Sequence, residues 1–210
     1  PTGLNVDRRF AETTVRATLR AAKVTVKARK RRDILWAGAI QGGRFLDLVE
    51  ESAKKLSRLD FDIYALGSPT EIMKTYSFKL LAEMIVVAKR NLPIDRPLHL
   101  FGAGHPLTIP LAVALGCDLF DSASYILYAR DGRYLTEAGT TRLDRLATLP
   151  CFCPVCSNHT VYEFRAMNID ERTNLIATHN LHVLLQEVKA TKQAIAEGRL
   201  WEHLAVKAQS

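Results

Sequence analysis

The sequence has 210 residues, of which 48% are hydrophobic and 24% are charged. These proportions describe a globular chain that can bury a sizeable core, and they exclude a disordered protein. No apolar run reaches the roughly eighteen residues of a membrane span, so we expect a soluble, cytoplasmic protein that does not associate with membranes. Lys and Arg number 29 against 22 Asp and Glu, and the net charge of +7 favours a polyanionic partner such as nucleic acid.

The first predicted element is a helix over residues 9–32, where apolar side chains recur at helical spacing. Eight Lys or Arg residues lie between Arg16 and Arg32, so the other face of this helix is strongly basic. Cations suit the carboxyl end of a helix, and a basic face also suits contact with RNA phosphates. Both interpretations, a solvated surface and a direct RNA contact, stay open at this point.

Short apolar runs then alternate with stretches of helical periodicity. Strands are predicted over residues 34–40, 61–66, 97–101 and 117–120, and helices over residues 44–59, 71–90 and 107–115. The order βαβαβαβ predicts an α/β fold in which helices cover a parallel sheet.

Each predicted strand ends in residues that suit a binding site. The four ends are Gln41-Gly42-Gly43, Gly67-Ser68-Pro69, Gly102-Ala103-Gly104-His105 and Asp121-Ser122. In (β/α)₈ barrels the carboxyl ends of the strands carry the active site, so these residues would face one another. Gln41 offers both a donor and an acceptor, and Asp121 is the only carboxylate at such an end. The alternative is that these are ordinary turn residues, with Asp121 capping a helix.

Beyond residue 122 the alternation stops. Residues 125–129 and 134–136 flank Arg130-Asp131-Gly132-Arg133, which has the chemistry of a hairpin turn, so two antiparallel strands are predicted there. Residues 168–197 have strong helical character. We therefore expect a β-hairpin followed by a helical appendix.

Three cysteines within six residues predict a metal site. Cys151, Cys153 and Cys156 are followed 23 residues later by His179, inside the last predicted helix. Three thiolates and one imidazole complete a closed tetrahedral Zn²⁺ site, which is typical of structural zinc. His159 is an alternative fourth ligand, although only two residues separate it from Cys156, which would strain the chelate.

Six segments of the sequence together resemble the tRNA-guanine transglycosylase family, and specifically its archaeal archaeosine type. They cover residues 39–43, 99–106, 116–122, 128–134, 151–156 and 178–180, and they agree with the family in order and spacing. The resemblance implies a zinc-bearing (β/α)₈ barrel that exchanges a guanine in the D-arm of tRNA for 7-cyano-7-deazaguanine. The phosphodiester backbone stays intact in this exchange.

The resemblance also implies roles for individual residues. Asp121 matches the nucleophile, which attacks C1′ of the ribose and holds the RNA as a covalent intermediate. The other matched positions are Gln41, Gly67 and Ser68 for the base edge, Phe101 with Gly102 beside it for stacking on the base, and Arg130 and Arg133 for the RNA backbone. Two displacements at one anomeric carbon retain its configuration, as in retaining glycosidases.

Four strands are half of what the family barrel contains. We therefore expect the C-terminal half of a (β/α)₈ TIM-like barrel with an inserted zinc-binding helical subdomain. Its parts would be residues 1–122 for the half-barrel, 123–150 for the hairpin and connection, and 151–210 for the zinc subdomain and C-terminal helices.

The open strand edges of a half-barrel need a cover. The expected partners are tRNA, a 7-deazaguanine base, and either the N-terminal half of the catalytic domain or a partner subunit, with a second copy of this chain as a possibility. The first residue is Pro1 rather than Met, which fits a fragment. Two other functions stay open: a non-catalytic tRNA-binding subunit of a transglycosylase heteromer, and a zinc-stabilised structural fragment.

Overall fold

The computed structural model describes residues 2–3, 5–67 and 77–209. Its contacts group the chain into two compact units. The first unit comprises Pro1–Ala103 and Leu115–Asp121, and the second comprises Gly104–Ala114 and Ser122–Ser210. The division predicted at residues 122 and 150 stays a prediction.

The first unit contains a mixed set of helices and short strands. Its described elements are α1 (Arg8–Ala28), β1 (Ala37–Ile40), α2 (Leu46–Leu56), β2 (Ile63–Leu66), α3 (Phe78–Lys89), β3 (Leu98–Leu100) and β4 (Leu119–Phe120). The strands pair in parallel in the order β1-β2-β3-β4. The predicted α/β organisation with a parallel sheet is therefore confirmed.

Helices cover this sheet because their apolar residues fall on one face. In α3 the buried residues Leu81, Met84, Ile85 and Ala88 recur at three- and four-residue spacing, and α3 packs against α2. The strands are shorter than the predicted apolar runs, since Leu35 at the start of the first run is 72% exposed. Part of the predicted helix over residues 71–90 lies outside the described residues.

The second unit is mainly helical. Its described elements are α4 (Thr108–Ala114), α5 (Ser124–Arg130), β5 (Arg133–Thr136), β6 (Gly139–Arg142), a 3₁₀ turn (Leu143–Arg145), α6 (Pro154–Ser157), α7 (Val161–Ala166), α8 (Ile169–Ala196) and α9 (Leu200–Ala208). Among the described helices of both units, none combines the length and the apolar composition that crossing a lipid bilayer requires.

The hairpin prediction is wrong in its first strand and in its turn. Residues 125–129 lie in helix α5, and β5 pairs instead with β6, which follows it. Gly132 adopts φ +66°, and its amide donates to the carbonyl of Ala129 at 2.9 Å. Gly132 therefore ends a helix rather than turning a hairpin, which is the other common use of glycine in the left-handed region. A five-residue apolar run does not separate these two outcomes by its periodicity.

Helix α8 is fixed to strand β5 by one buried amide. The Asn180 side chain accepts a hydrogen bond from the amide of Leu135 at 2.8 Å, and it donates to the carbonyls of Tyr125 and Arg133, both at 3.1 Å. Asn180 is fully buried, so these three bonds satisfy its own amide group, which water does not reach.

A second buried polar group connects α8 to α9. Glu187 on α8 is 3% exposed, and its carboxylate meets His203 at 2.7 Å and Lys207 at 2.6 Å, both from α9. A buried carboxylate needs such partners, because removing it from water is costly unless an opposite charge compensates. The last helix is therefore attached through the contacts of its His203 and Lys207 with Glu187.

We expect Asn180→Ala to lower the free energy of unfolding by about 2–4 kcal/mol, because it removes a hydrogen-bond partner from three backbone groups, among them the amide of fully buried Leu135. Asn174→Ala, on an exposed position of the same helix, is the matched control. Urea unfolding followed by circular dichroism measures both variants. Equal stability of the two would contradict the role assigned to Asn180.

Candidate active site and metal centre

The four parallel strands end in register at one edge of the sheet. The last paired row joins Ile40 to Leu66, Leu66 to Leu100, and Leu100 to Phe120. The residues that directly follow this row are Gln41, Gly67, Phe101 and Asp121. The carboxyl ends of strands in an open α/β sheet are where ligands bind, so the structure brings these positions to one candidate site.

Asp121 is held by one of its two carboxylate oxygens. Its Oδ1 accepts a hydrogen bond from the Gly102 amide at 2.8 Å, and Gly102 has φ +75°, in the region that favours glycine. The side chain is 48% exposed, and Oδ2 makes no hydrogen bond with any described residue. This leaves an oriented carboxylate with one oxygen open to an electrophile.

His99 is a site residue that the sequence did not single out as a functional candidate. It lies within β3, and its Nε2 is 2.9 Å from Asp121 Oδ1. The Nε2 atom is buried and has no aligned hydrogen bond, so the contact is a close approach rather than a well-directed bond. The signal that could have found it is a polar residue inside a buried, otherwise apolar strand.

Gln41 presents its amide nitrogen. The side-chain Oε1 accepts hydrogen bonds from Thr2, at 2.9 Å from the amide and 3.2 Å from the hydroxyl. Nε2 has no hydrogen-bond partner among the described residues. A Cβ at Gly67 would approach this nitrogen to 3.4 Å, so glycine keeps the space above the Gln41 amide open.

Phe101 supplies an apolar surface at the same edge. Its side chain is 56% exposed, and its ring contacts the edge of His99 with centroids 5.4 Å apart. An exposed ring near an amide donor and a carboxylate can hold a flat heterocycle. Ser68, predicted to contact the base edge, lies outside the described residues.

The two predicted RNA-binding arginines lie in the second unit. Arg133 places its guanidinium 4.1 Å from the ring centroid of Tyr128 and donates to the Thr140 hydroxyl at 2.9 Å. Arg130 is exposed in the last turn of α5. Arg133 is thus partly committed to contacts within the unit, whereas Arg130 faces solvent.

Cys151, Cys153, Cys156 and His179 form one cluster. Their potential ligand atoms all lie within 4.8 Å of one another. His179 Nδ1 is 3.4 Å from the sulfur of Cys153 and 3.4 Å from that of Cys156. Typical zinc bond lengths in a tetrahedron require about 3.6 Å between such atoms, so the donor set fits one tetrahedral ion.

The surroundings of His179 fix which nitrogen faces the sulfurs. Its Nε2 lies 2.8 Å from the carbonyl of Leu135, and its ring stacks on Tyr134 with centroids 3.7 Å apart. The Tyr134 hydroxyl is 3.0 Å from the sulfur of Cys156. A backbone carbonyl on the far nitrogen is the usual way to orient a ligating histidine.

Burial disfavours the charged forms of Cys156 and His179 in this cluster. It raises the pKa of the Cys156 thiol to about 12 and lowers the pKa of His179 to about 4. Desolvation disfavours every charged form, and only a cation among the sulfurs would reverse this for the thiols. The Cys₃His cluster can therefore bind a metal ion.

His159, the alternative ligand, lies outside this cluster. Its Nδ1 is 2.8 Å from the carbonyl of Val155, and its ring meets Phe164 edge-on with centroids 5.6 Å apart. The helix α8 instead carries His179 to the cysteines. This placement depends on packing and not on proximity in sequence.

Two other buried groups do not fit a reactive role. Cys117 is 3% exposed, and burial raises the pKa of its thiol to about 12. His105 is fully buried, and burial lowers the pKa of its ring to about 4. A reactive thiol needs a lowered pKa, so Cys117 is a core residue.

Comparisons with known proteins identify the family of this chain. The profile of the queuine tRNA-ribosyltransferase (TGT) family matches residues 1–210. The tRNA-guanine(15) transglycosylase of Aeropyrum pernix is 53% identical over 208 residues, which are 97% of this chain and 40% of that protein.

Two further archaeal relatives carry the same name. The tRNA-guanine(15) transglycosylase of Saccharolobus solfataricus is 48% identical and matches 100% of this chain and 43% of its own length. That of Methanococcus aeolicus is 48% identical over 96% of this chain and 32% of its own length. The chain thus spans less than half the length of these relatives. It belongs to the queuine tRNA-ribosyltransferase (TGT) family, and within it resembles the archaeal tRNA-guanine(15) transglycosylases.

Proposed function

We propose that this chain carries the nucleophile of an archaeosine-type tRNA-guanine transglycosylase, which replaces a guanine in the D-arm of tRNA by 7-cyano-7-deazaguanine. The observation that carries the proposal is the state of Asp121, whose Oδ1 is held by Gly102 while Oδ2 is open. The names of the archaeal relatives support tRNA as the RNA and guanine as the leaving base.

In the proposed reaction Asp121 exchanges one bond for another at C1′ of the ribose. A carboxylate oxygen forms an ester bond to C1′, and the glycosidic bond breaks, so guanine leaves with the electron pair and takes up a proton. The incoming base then attacks C1′ through its ring nitrogen, loses a proton, and displaces the carboxylate. Both steps pass through oxocarbenium-like states, and the free carboxylate is regenerated.

The residues around Asp121 support recognition of a base outside the stack. The free Nε2 of Gln41 suits a carbonyl oxygen on the base edge, and Gly67 leaves room for it. We propose that Ser68 and the Gly102 backbone add polar contacts and that Phe101 stacks on the ring. Enzymes that react at a nucleotide commonly read a flipped-out base in this way.

We propose that the four strands are half of a (β/α)₈ barrel that residues outside this chain complete. Residues 1–122 would supply the half-barrel, 123–150 a connection, and 151–210 a zinc subdomain. The completing part, an N-terminal half, a partner subunit or a second copy, would add the carboxylate that moves protons. Arg130 and Arg133 would hold the RNA backbone, which positions without specifying sequence.

Asp121→Asn is expected to lower base exchange by at least about 10³-fold, because the amide is a poor nucleophile. The assay measures incorporation of labelled base into tRNA by this chain mixed with the N-terminal part of the Aeropyrum pernix relative. Asp95→Asn, which removes an exposed carboxylate elsewhere in the first unit, is the matched control.

Two results would contradict the proposal. Full turnover by Asp121→Asn in the reconstituted mixture would favour the alternative of a non-catalytic, tRNA-binding subunit. Robust exchange by this chain without any added part would contradict the need for a completing half.

His99→Phe is expected to lower kcat by about 10–100-fold while KM for tRNA stays the same, because His99 contacts Asp121 and, in this proposal, acts on the RNA only through that carboxylate. His99→Gln, which keeps a donor at a similar distance, should recover part of the loss. Single-turnover formation of the covalent protein–RNA adduct measures the affected step. An unchanged adduct rate in His99→Phe would remove His99 from the site.

We propose that the ion of the Cys₃His cluster is structural Zn²⁺. All four ligand positions would be taken by protein atoms, so no position stays open for water or substrate. When bound, the ion supplies folding free energy and keeps the thiols deprotonated. The ligands join α6 and the residues just before it to helix α8, which also carries Asn180.

Cys153→Ser is expected to reduce zinc from one ion per chain to a small fraction and to lower Tm, because a structural ion stabilises only the folded state. His159→Gln is the matched control and should keep the ion. Elemental analysis and thermal unfolding of the purified variants measure both effects. Zinc lost from His159→Gln and kept in Cys153→Ser would overturn the ligand assignment.

A further inference from the structure

The positive charge of this chain is concentrated on one segment. Residues 8–32 contain ten Lys or Arg residues and a single acidic residue, Glu12. The net charge of this segment exceeds the net charge of +7 of the whole chain, so the remaining residues together carry a small negative charge. Any polyanion that the net charge attracts is therefore attracted to helix α1 and the residues that follow it.

Five of these cations share one stripe along α1. At 100° per residue, Arg9, Arg16, Arg20, Lys23 and Lys27 fall within an arc of about 60°. The buried residues of the helix, among them Val15 and Leu19, occupy a different face. The stripe extends over about 27 Å at 1.5 Å per residue, so it is much longer than a nucleotide.

The stripe is exposed and mostly unpaired. Arg9, Arg20, Lys23 and Lys27 are exposed and form no ion pair with any described residue, while Arg16 reaches Glu12 only at 3.9 Å. Other cations of the segment form ion pairs within the first unit. Ion pairs join Arg8 to Asp47, Arg29 to Asp60 and Arg31 to Asp33.

Stability of the helix does not explain this arrangement. Helix α2 of the same unit places Glu50 opposite Lys54 and Glu51 opposite Lys55, the spacing that stabilises a helix. Helix α1 instead places cations four residues apart, as in Lys23 and Lys27, which is unfavourable. Its amino end is already capped by Asp7, whose carboxylate accepts a hydrogen bond from the Phe10 amide, and of the stripe residues only Lys27 lies in the last turn, where a cation is favourable.

We propose that the stripe on α1 binds the phosphate backbone of the folded tRNA. Helix α1 packs on β1, the outermost strand on one side of the sheet, whereas Asp121 follows β4, the outermost strand on the other side. Three strand spacings, about 14 Å, separate β1 from β4, so only an extended ligand reaches both. A folded RNA does so, and its phosphates supply the charge. The choice of tRNA rests on the proposed function, whereas the location of the polyanion contact does not.

The test compares two triple variants that remove the same charge. Arg20→Gln, Lys23→Gln and Lys27→Gln together neutralise the carboxyl-terminal part of the stripe and keep good helix formers. Arg58→Gln, Lys189→Gln and Lys192→Gln together neutralise three exposed, unpaired cations outside α1. Fluorescence anisotropy measures binding of labelled tRNA between about 50 and 200 mM salt, the range over which phosphate contacts are lost.

The stripe variant is expected to bind at least about 10-fold more weakly and to lose about 2 units of slope in a plot of log affinity against log salt. Each lost phosphate contact accounts for about 0.7–0.9 of that slope. The control variant should keep a slope close to that of the original chain. The Tm of the stripe variant should not fall, since like charges on one helix are removed.

Equal slopes for the two variants would overturn the proposal. A second contradicting result uses vesicles of equal parts phosphatidylserine and phosphatidylcholine. If the original chain binds these vesicles, and the stripe variant loses vesicle binding but keeps its affinity for tRNA, the partner of the stripe is a membrane. Absence of base exchange in the mixture with the N-terminal part of the relative would instead refute the proposed function. If the two triple variants still differ in salt slope as expected, the RNA contact of the stripe is retained.

Discussion

The parallel pairing of the four strands is the constraint on which the candidate site depends. Because the rows of the sheet are in register, the residues after Ile40, Leu66, Leu100 and Phe120 emerge side by side. The ladder continues past the strands, since Phe101 donates to the carbonyl of Leu66. The amide of Gly102, next in the chain, then meets Asp121. A shift of one residue in any strand would point these groups to opposite faces.

The arrangement of α8 and β5 in the second unit depends instead on a set of buried polar groups on α8. His179 and Asn180 are adjacent on this helix, and both contact the backbone of Leu135 in β5. The same helix turn therefore positions a metal ligand and fixes the hairpin. Buried polar groups of this kind specify one arrangement, because any other leaves them unpaired in a medium of low polarity. Binding of an ion by the Cys₃His cluster would thereby be coupled to the packing of β5.

The candidate site residues and the excess of cations lie in different parts of the first unit. The strand ends carry one carboxylate, amides and an aromatic ring, while the excess of cations lies on α1. Selecting a flat base requires short, directed contacts with little mobile charge, whereas holding an RNA backbone requires many cations that tolerate small displacements. In the proposed function, this separation lets the strand ends contact the base while α1 contacts the RNA backbone.

The sequence by itself determined the alternation of strands and helices, the residues at the strand ends, and the three clustered cysteines, because periodicity and spacing are local properties. The packing of helix α8 decided that His179, and not His159, joins those cysteines. The prediction of a strand over residues 125–129 was wrong, because a short apolar run fits a strand or a helix equally well. These residues form a helix that ends just before Gly132. Nor did the sequence indicate the approach of His99 to Asp121 or the bonds of Asn180. Those contacts join residues 22 to 55 positions apart. Only strand register and helix packing bring such residues together, so the tertiary structure alone decided them.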